Sequence, residues 1–147
     1  MLQWLFPHPL PAGSPAPDFS LPDQDGKMVS LASLRGKNVV LVFYPGDDTL
    51  VCTKQLCEFR DHWSDAQTRN AVVFGVNPQG ERSHTKFREK YKLPFPLLID
   101  KGQTMGEKYK TRGLIVKRTV YLIGPDGVIR YAKRGVPNPK EVLASAA

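Results

Sequence analysis

The chain has only two cysteines, Cys52 and Cys57, and no Cys-x-x-Cys pair. That spacing serves thioredoxin-type exchange dithiols and many zinc sites, so its absence counts against both. His62 does not rescue a metal site: Cys52, Cys57 and His62 follow one another at intervals of five and share no helical face. Gly-x-Gly-x-x-Gly and phosphate-loop patterns are missing, which removes support for a nucleotide cofactor. No run approaches the ~20 apolar residues of a membrane span. The opening Met1-Leu2-Gln3-Trp4-Leu5-Phe6 has no basic flank and is too short for a secretory signal. Internal repeats, linkers and low-complexity tracts are absent as well.

Acidic residues are scarce in one half. Lys and Arg number 21 against 14 Asp and Glu, a formal charge of +7. Residues 82–140 hold 15 basic and 4 acidic side chains, whereas residues 1–81 hold 6 and 9. A basic half attracts nucleic acid, anionic surfaces or an acidic protein. Without a nucleic-acid motif or stacking set, specific nucleic-acid binding is not expected, and an acidic reductase steered to this face fits better. At 147 residues the chain is long enough to bury a core as one domain. Residues 1–15 read as a proline-rich N-terminal arm. Trp4 and Phe6 have the means to pack, but such termini are commonly mobile.

Hydrophobic periodicity orders the rest. Phe19–Leu21 and Met28–Leu31 flank Asp23-Gln24-Asp25-Gly26, a hairpin signal. Val39-Val40-Leu41-Val42-Phe43 is a β-branched run that reads as a buried strand, and a helical pattern follows it. Ala71–Val76 reads as the next strand. Glu81–Tyr91 reads as a helix with His84, Phe87 and Tyr91 on one face, which makes His84 a packed or rim residue rather than a catalyst. Leu97–Ile99, a short helix near Thr104–Tyr109, strands at Thr119–Ile123 and Val128–Lys133, and a helix from Pro139 complete the order. Pro125-Asp126-Gly127 marks the turn between the last two strands. The expected architecture is an α/β sandwich around a mixed sheet.

The chemistry concentrates in residues 43–61, at the junction of the central strand and the next helix. With Thr49 as N-cap, Leu50, Val51 and Cys52 occupy the first turn, where unpaired N–H groups and the helix dipole favour an anion. A thiolate is such an anion, which makes Cys52 a candidate nucleophile. Continued at about 100° per residue, the helix gathers Cys52, Leu56, Phe59, Trp63 and Ala66 into one apolar stripe and sets Cys57 about 140° from Cys52. Their Cα atoms then lie roughly 8 to 9 Å apart, beyond the ~7 Å limit for a disulfide. Either the pair never bridges, or bridging unwinds the helix start. Each residue also has a plainer use. Cys57 serves equally well as a small core hydrophobe and Cys52 less well, given its cap position. Thr49 serves as a simple cap, Arg118 as a solvated strand end, and Pro45 in Pro-Gly-Asp-Asp as ordinary turn chemistry.

Pro45, Thr49 and Cys52 together meet the pattern Pro-x-x-x-Thr-x-x-Cys, and at these residues the chain resembles a peroxiredoxin. Cys57, five positions on, is similar to the resolving cysteine of the bacterioferritin comigratory protein branch, which closes an intramolecular disulfide. Further likeness lies in Ala16-Pro17-Asp18-Phe19, Phe59-Arg60-Asp61, Lys90–Leu98 and Arg118–Ile123, nearly the whole chain. Two positions depart from the pattern. Gln55 stands where that branch usually has Glu, which removes a charge able to pair with an arginine, and Asn77-Pro78 stands where relatives often carry Ser and an acidic residue.

The resemblance implies a thioredoxin-like fold over residues 16–147 as a single domain, and a thiol peroxidase working without metal or organic cofactor. It implies that Cys52 attacks the peroxide and becomes a sulfenic acid, and that Cys57 condenses with it. Donors aimed at the breaking O–O bond would be the Thr49 hydroxyl, the Cys52 N–H and the Arg118 guanidinium, with Pro45 shielding the pocket. The implied partners are hydrogen peroxide or organic hydroperoxides and thioredoxin or a similar dithiol. The expected assembly is a monomer or weak homodimer, and the expected setting a cytoplasmic, reducing compartment. Two rival readings stand beside it, a thiol-disulfide oxidoreductase without peroxide turnover and a redox-sensing or basic-surface binding protein.

Overall fold

The computed structural model describes residues 8 to 147, so Trp4 and Phe6 lie outside the described residues. A hairpin of β1 (Ser20–Pro22) and β2 (Met28–Ser30) precedes the central strand β3 (Asn38–Phe43). Then come α1 (Leu50–Asp61), α2 (Trp63–Thr68), β4 (Ala71–Asn77), α3 (Glu81–Tyr91) and β5 (Leu97–Ile99). The chain continues through α4 (Thr104–Lys108), β6 (Thr119–Ile123), β7 (Ile129–Arg134) and α5 (Pro139–Leu143). Five strands form one sheet in the order β5-β4-β3-β6-β7. The βα crossovers make β3, β4 and β5 parallel, while β6 and β7 run antiparallel. The mixed sheet, its flanking helices and the N-terminal hairpin all match the sequence expectation.

β3 is buried along its whole length, and its period-2 alternation splits the core in two. Val40 and Val42 face a layer built from Cys52, Leu56 and Phe59 of α1, Ala66 of α2, Phe87 of α3, and Val142 and Leu143 of α5. Val39, Leu41 and Phe43 face the hairpin and α4, against Phe19, Val29, Met105 and Tyr109. The helical stripe predicted for residues 52 to 66 does turn inward, but not on one helix. α1 stops at Asp61, because His62 leaves helical geometry (φ −106°, ψ 18°) and its N–H and ring Nδ1 both meet the Glu58 carbonyl. Trp63 therefore opens α2 and is only half-buried.

The described part of the proline-rich arm is tied down. The N–H of Gly13 donates to Ile129 O, that of Ile129 to Ser14 O, and that of Ala16 to Gly127 O. Leu10 N–H also reaches Tyr121 Oη at 3.0 Å. The arm thus pairs with the start of β7, which would otherwise be a bare sheet edge.

Gly75 of β4 is the point where this packing controls the site. A Cβ there would lie 2.7 Å from Leu97 Cδ2 and 2.9 Å from Tyr44 Cε1, so the glycine leaves the space that the Tyr44 ring occupies. Gly75→Ala is expected to destabilise the protein by about 1–3 kcal/mol through overpacking, read by urea unfolding. An unchanged midpoint would contradict that packing.

Candidate active site

Parallel strands carry their ligands at their C-terminal ends, and the two cysteines follow such an end. β3 finishes at Phe43, the chain turns through Tyr44-Pro45-Gly46-Asp47-Asp48, and α1 begins at Leu50. The first bond of α1 runs from Thr53 N–H to Thr49 O at 2.8 Å. The N–H groups of Leu50, Val51 and Cys52 thus have no carbonyl one turn behind them. Cys52 sits in this turn with 1% of its surface exposed.

Arg118 reaches it from another strand. β3 and β6 pair antiparallel with Phe43 opposite Thr119, which places Arg118, just before β6, beside the start of α1. Arg118 Nη2 donates to Cys52 Sγ at 3.2 Å, and Nη1 donates to Gln55 Oε1 at 2.8 Å. Gln55 lies one helical turn beyond Cys52 and its Nε2 donates to Gly135 O at 3.4 Å, while Gly135 N–H donates to Arg118 O. Gln55 therefore still pairs with the arginine expected of a glutamate here. It does so as a neutral acceptor, which leaves the guanidinium charge uncompensated by a carboxylate at that contact.

The remaining predicted residues are placed as follows. Thr49 stands at the N-cap with extended backbone, but its side chain makes no cap hydrogen bond. Its hydroxyl instead donates to Gly46 O at 3.0 Å, so the Thr49 oxygen has lone pairs to offer a substrate O–H. Pro45 is half-buried at the start of the same turn. Cys57 is half-buried on α1, packed against the helix-side core, and both thiols are free. Burial pushes the Cys57 thiol above its ordinary range, with Asp61 adding to the rise and Arg60 opposing it. Among the described residues no group of three or more His, Cys, Asp or Glu is arranged to hold a metal.

Sequence reasoning missed a polar network behind the turn. Asp47 accepts from Tyr44, Asn77, Ser83 and His84. Asp48, at φ 57°, accepts from Lys90 Nζ at 2.8 Å and Tyr91 Oη at 2.7 Å. Both aspartates read as turn residues in the sequence. The one available signal was His84, a polar side chain on an otherwise apolar helix face that had to find a buried partner.

The AhpC/TSA family model matches residues 12–132. The chain belongs to the AhpC/TSA family. A Coxiella burnetii protein named peroxiredoxin bcp is 44% identical over 128 residues, covering 80% of this chain and 83% of the relative. Peroxiredoxin Q, chloroplastic, of Oryza sativa subsp. japonica is 42% identical over 123 residues, 81% of this chain but 57% of that longer protein. The crystal structure of peroxidoxin BcpB from Mycobacterium tuberculosis matches with a TM-score of 0.85 at 32% identity, covering 91% of this chain and 94% of that one. These relatives fix the thioredoxin-like peroxiredoxin fold and the bacterioferritin comigratory protein branch, and with them a thiol peroxidase activity. The rice relative is chloroplastic, so this branch is not confined to one compartment. No described helix is long and apolar enough to cross a membrane.

In this peroxiredoxin, Arg118 holds a fixed positive charge against the Cys52 sulfur. A hydrogen bond to a charged group is worth about 1.5–3 kcal/mol, and 1.4 kcal/mol is tenfold in rate. Arg118→Met is expected to slow alkylation of Cys52 by iodoacetamide at pH 7 about tenfold or more. An unchanged rate would show that the contact does not activate the sulfur.

Proposed function

We propose that the chain reduces hydrogen peroxide and organic hydroperoxides through Cys52 as the peroxidatic residue and Cys57 as the resolving one. The observation that carries this is the Arg118 guanidinium 3.2 Å from Cys52 Sγ, at a helix start whose N–H groups are free. Both are positive, and both face the sulfur and the space where a leaving oxygen takes up charge. The Cys52 thiolate attacks the terminal peroxide oxygen, the O–O bond breaks, and the departing alkoxide or hydroxide leaves as alcohol or water after taking a proton. Thr49 Oγ1, its own proton held by Gly46 O, accepts from the peroxide O–H and aligns it. Pro45 shields the pocket. An open cleft lined by Leu50, Val51, Lys54, Glu58, Val136 and Asn138 borders the first turn, and its apolar members suit the organic part of a hydroperoxide.

Attack by Cys57 on the Cys52 sulfenic acid forms the disulfide and releases water. With α1 intact the two are roughly 8 to 9 Å apart at Cα, so the first turns of α1 unwind for this step. Unwinding also uncovers Cys57, which relieves the burial that pushes its thiol above the ordinary range. Thioredoxin or a similar dithiol then returns both thiols, becoming a disulfide itself. Residues 16–147 act in this reading as one domain, as a monomer or weak homodimer in a reducing compartment such as the cytoplasm.

Cys52→Ser is expected to abolish peroxide consumption coupled to thioredoxin. Cys57→Ser is expected to keep one fast oxidation per protein and lose efficient recycling. Turnover by Cys52→Ser at the wild-type rate would sink the mechanism, and unimpaired recycling in Cys57→Ser would remove the resolving role.

A further inference from the structure

We infer that Asp47 is a positioning residue for peroxide reduction, fixing through its turn where Thr49 and Pro45 meet the substrate. The inference rests on the peroxidase reading above. The Asp47 side chain is 2% exposed, although a Pro-Gly-Asp-Asp turn forms at a surface without burying a carboxylate. Burying that charge is costly unless every lone pair is met, and here it is met from three elements. Oδ1 accepts from Tyr44 Oη at 2.6 Å and from Asn77 Nδ2 at 3.2 Å, while Oδ2 accepts from Ser83 Oγ at 2.8 Å and from His84 Nδ1 at 2.6 Å. His84 is itself fully buried and pinned at its far side, where Nε2 donates to Leu98 O at 2.9 Å. Burial, with the Asp47 charge adding to it, holds the Tyr44 phenol well above its ordinary range, so it stays a donor. Desolvation raises the Asp47 carboxyl, but the His84 hydrogen bond and charge, with Tyr44 and Ser83, outweigh it and hold the group below the usual carboxylate range.

The backbone is held as firmly as the side chain. Asp47 N–H donates to Gln79 Oε1. Gln79 is locked in turn by Asn77, whose Oδ1 accepts from Gln79 N–H at 2.8 Å and whose Nδ2 reaches Gln79 Oε1 at 3.4 Å. This gives the Asn77-Pro78 segment a use that its sequence did not suggest. A line of contacts then runs from β4, β5 and α3 through Asp47 to the neighbouring Gly46 carbonyl, and from that carbonyl to the Thr49 hydroxyl. The sulfur has its own hydrogen bond, from Arg118 just before β6, and Gln55 of α1 holds that guanidinium from behind. Two supports thus converge on one reaction. One sets the nucleophile, and the other sets the groups that align the peroxide.

That separation supplies the test. Asp47→Asn keeps the size but replaces one acceptor oxygen with an amide that confronts donors. In the full-length reduced protein, the second-order rate of Cys52 oxidation by hydrogen peroxide is expected to fall tenfold or more. Alkylation of Cys52 by iodoacetamide, which needs neither Thr49 nor Pro45, is expected to stay within twofold of wild type. Tyr44→Phe, which deletes one donor and keeps the ring, is expected to slow oxidation a few-fold with alkylation again unchanged, and it carries the test should Asp47→Asn not fold. An unchanged oxidation rate, or equal losses in oxidation and alkylation, would overturn the positioning role. A wild-type protein inert to peroxide would overturn the peroxidase reading, and this inference with it.

Discussion

Phe43 pairs with Thr119 across the antiparallel β3–β6 ladder, and the chemistry depends on that register. A slip of one residue would turn every β6 side chain to the other face of the sheet and carry Arg118 away from the helix start. With the register as it is, a guanidinium from one strand meets a thiol that follows another, across 66 residues of sequence. The neutral Gln55 side chain then links Arg118 to the Gly135 carbonyl beyond β7. Three segments distant in sequence are thereby held around one sulfur atom.

The two sides of the site differ in what they must do during a cycle. The turn before α1 is braced by a buried carboxylate and by Asp48, tied to both Lys90 and Tyr91 of α3. The start of α1 is held from one side, by Arg118 on Cys52 and Gln55, while Leu50 and Val51 are exposed, at 88% and 51%. A catalytic cycle of this kind asks for that division. In the proposed cycle the groups that align the peroxide would stay with the sheet and α3, while the turn bearing Cys52 would unwind toward Cys57. Cys57 packs beside the core, so in the proposed cycle the disulfide would form at a cost in local structure that reduction would restore.

Much of this organisation is legible in the amino-acid sequence. Period-2 burial in Val39–Phe43 and the strand-to-helix transition at Thr49 follow from side-chain pattern alone, and Cys52 at a helix start follows from them. The helix break at His62 is not legible, because a histidine competing for the Glu58 carbonyl leaves no compositional mark. Arg118 reads equally well as a solvated strand end, and only strand pairing brings it to the sulfur. Asp47 is hidden by its own good turn chemistry. Its partners are spread over positions 44, 77, 83 and 84, and nothing local distinguishes a buried aspartate from a solvated one. The family resemblance points to the reacting residues, but not to the network that holds them.

The most direct measurement is rapid mixing of the fully reduced protein with one equivalent of hydrogen peroxide, followed by quenching, intact mass and peptide mapping. The account predicts fast loss of two hydrogens, located in a Cys52–Cys57 disulfide. Slow oxidation, or a stable oxygen adduct on Cys52 with Cys57 still a free thiol, would contradict it.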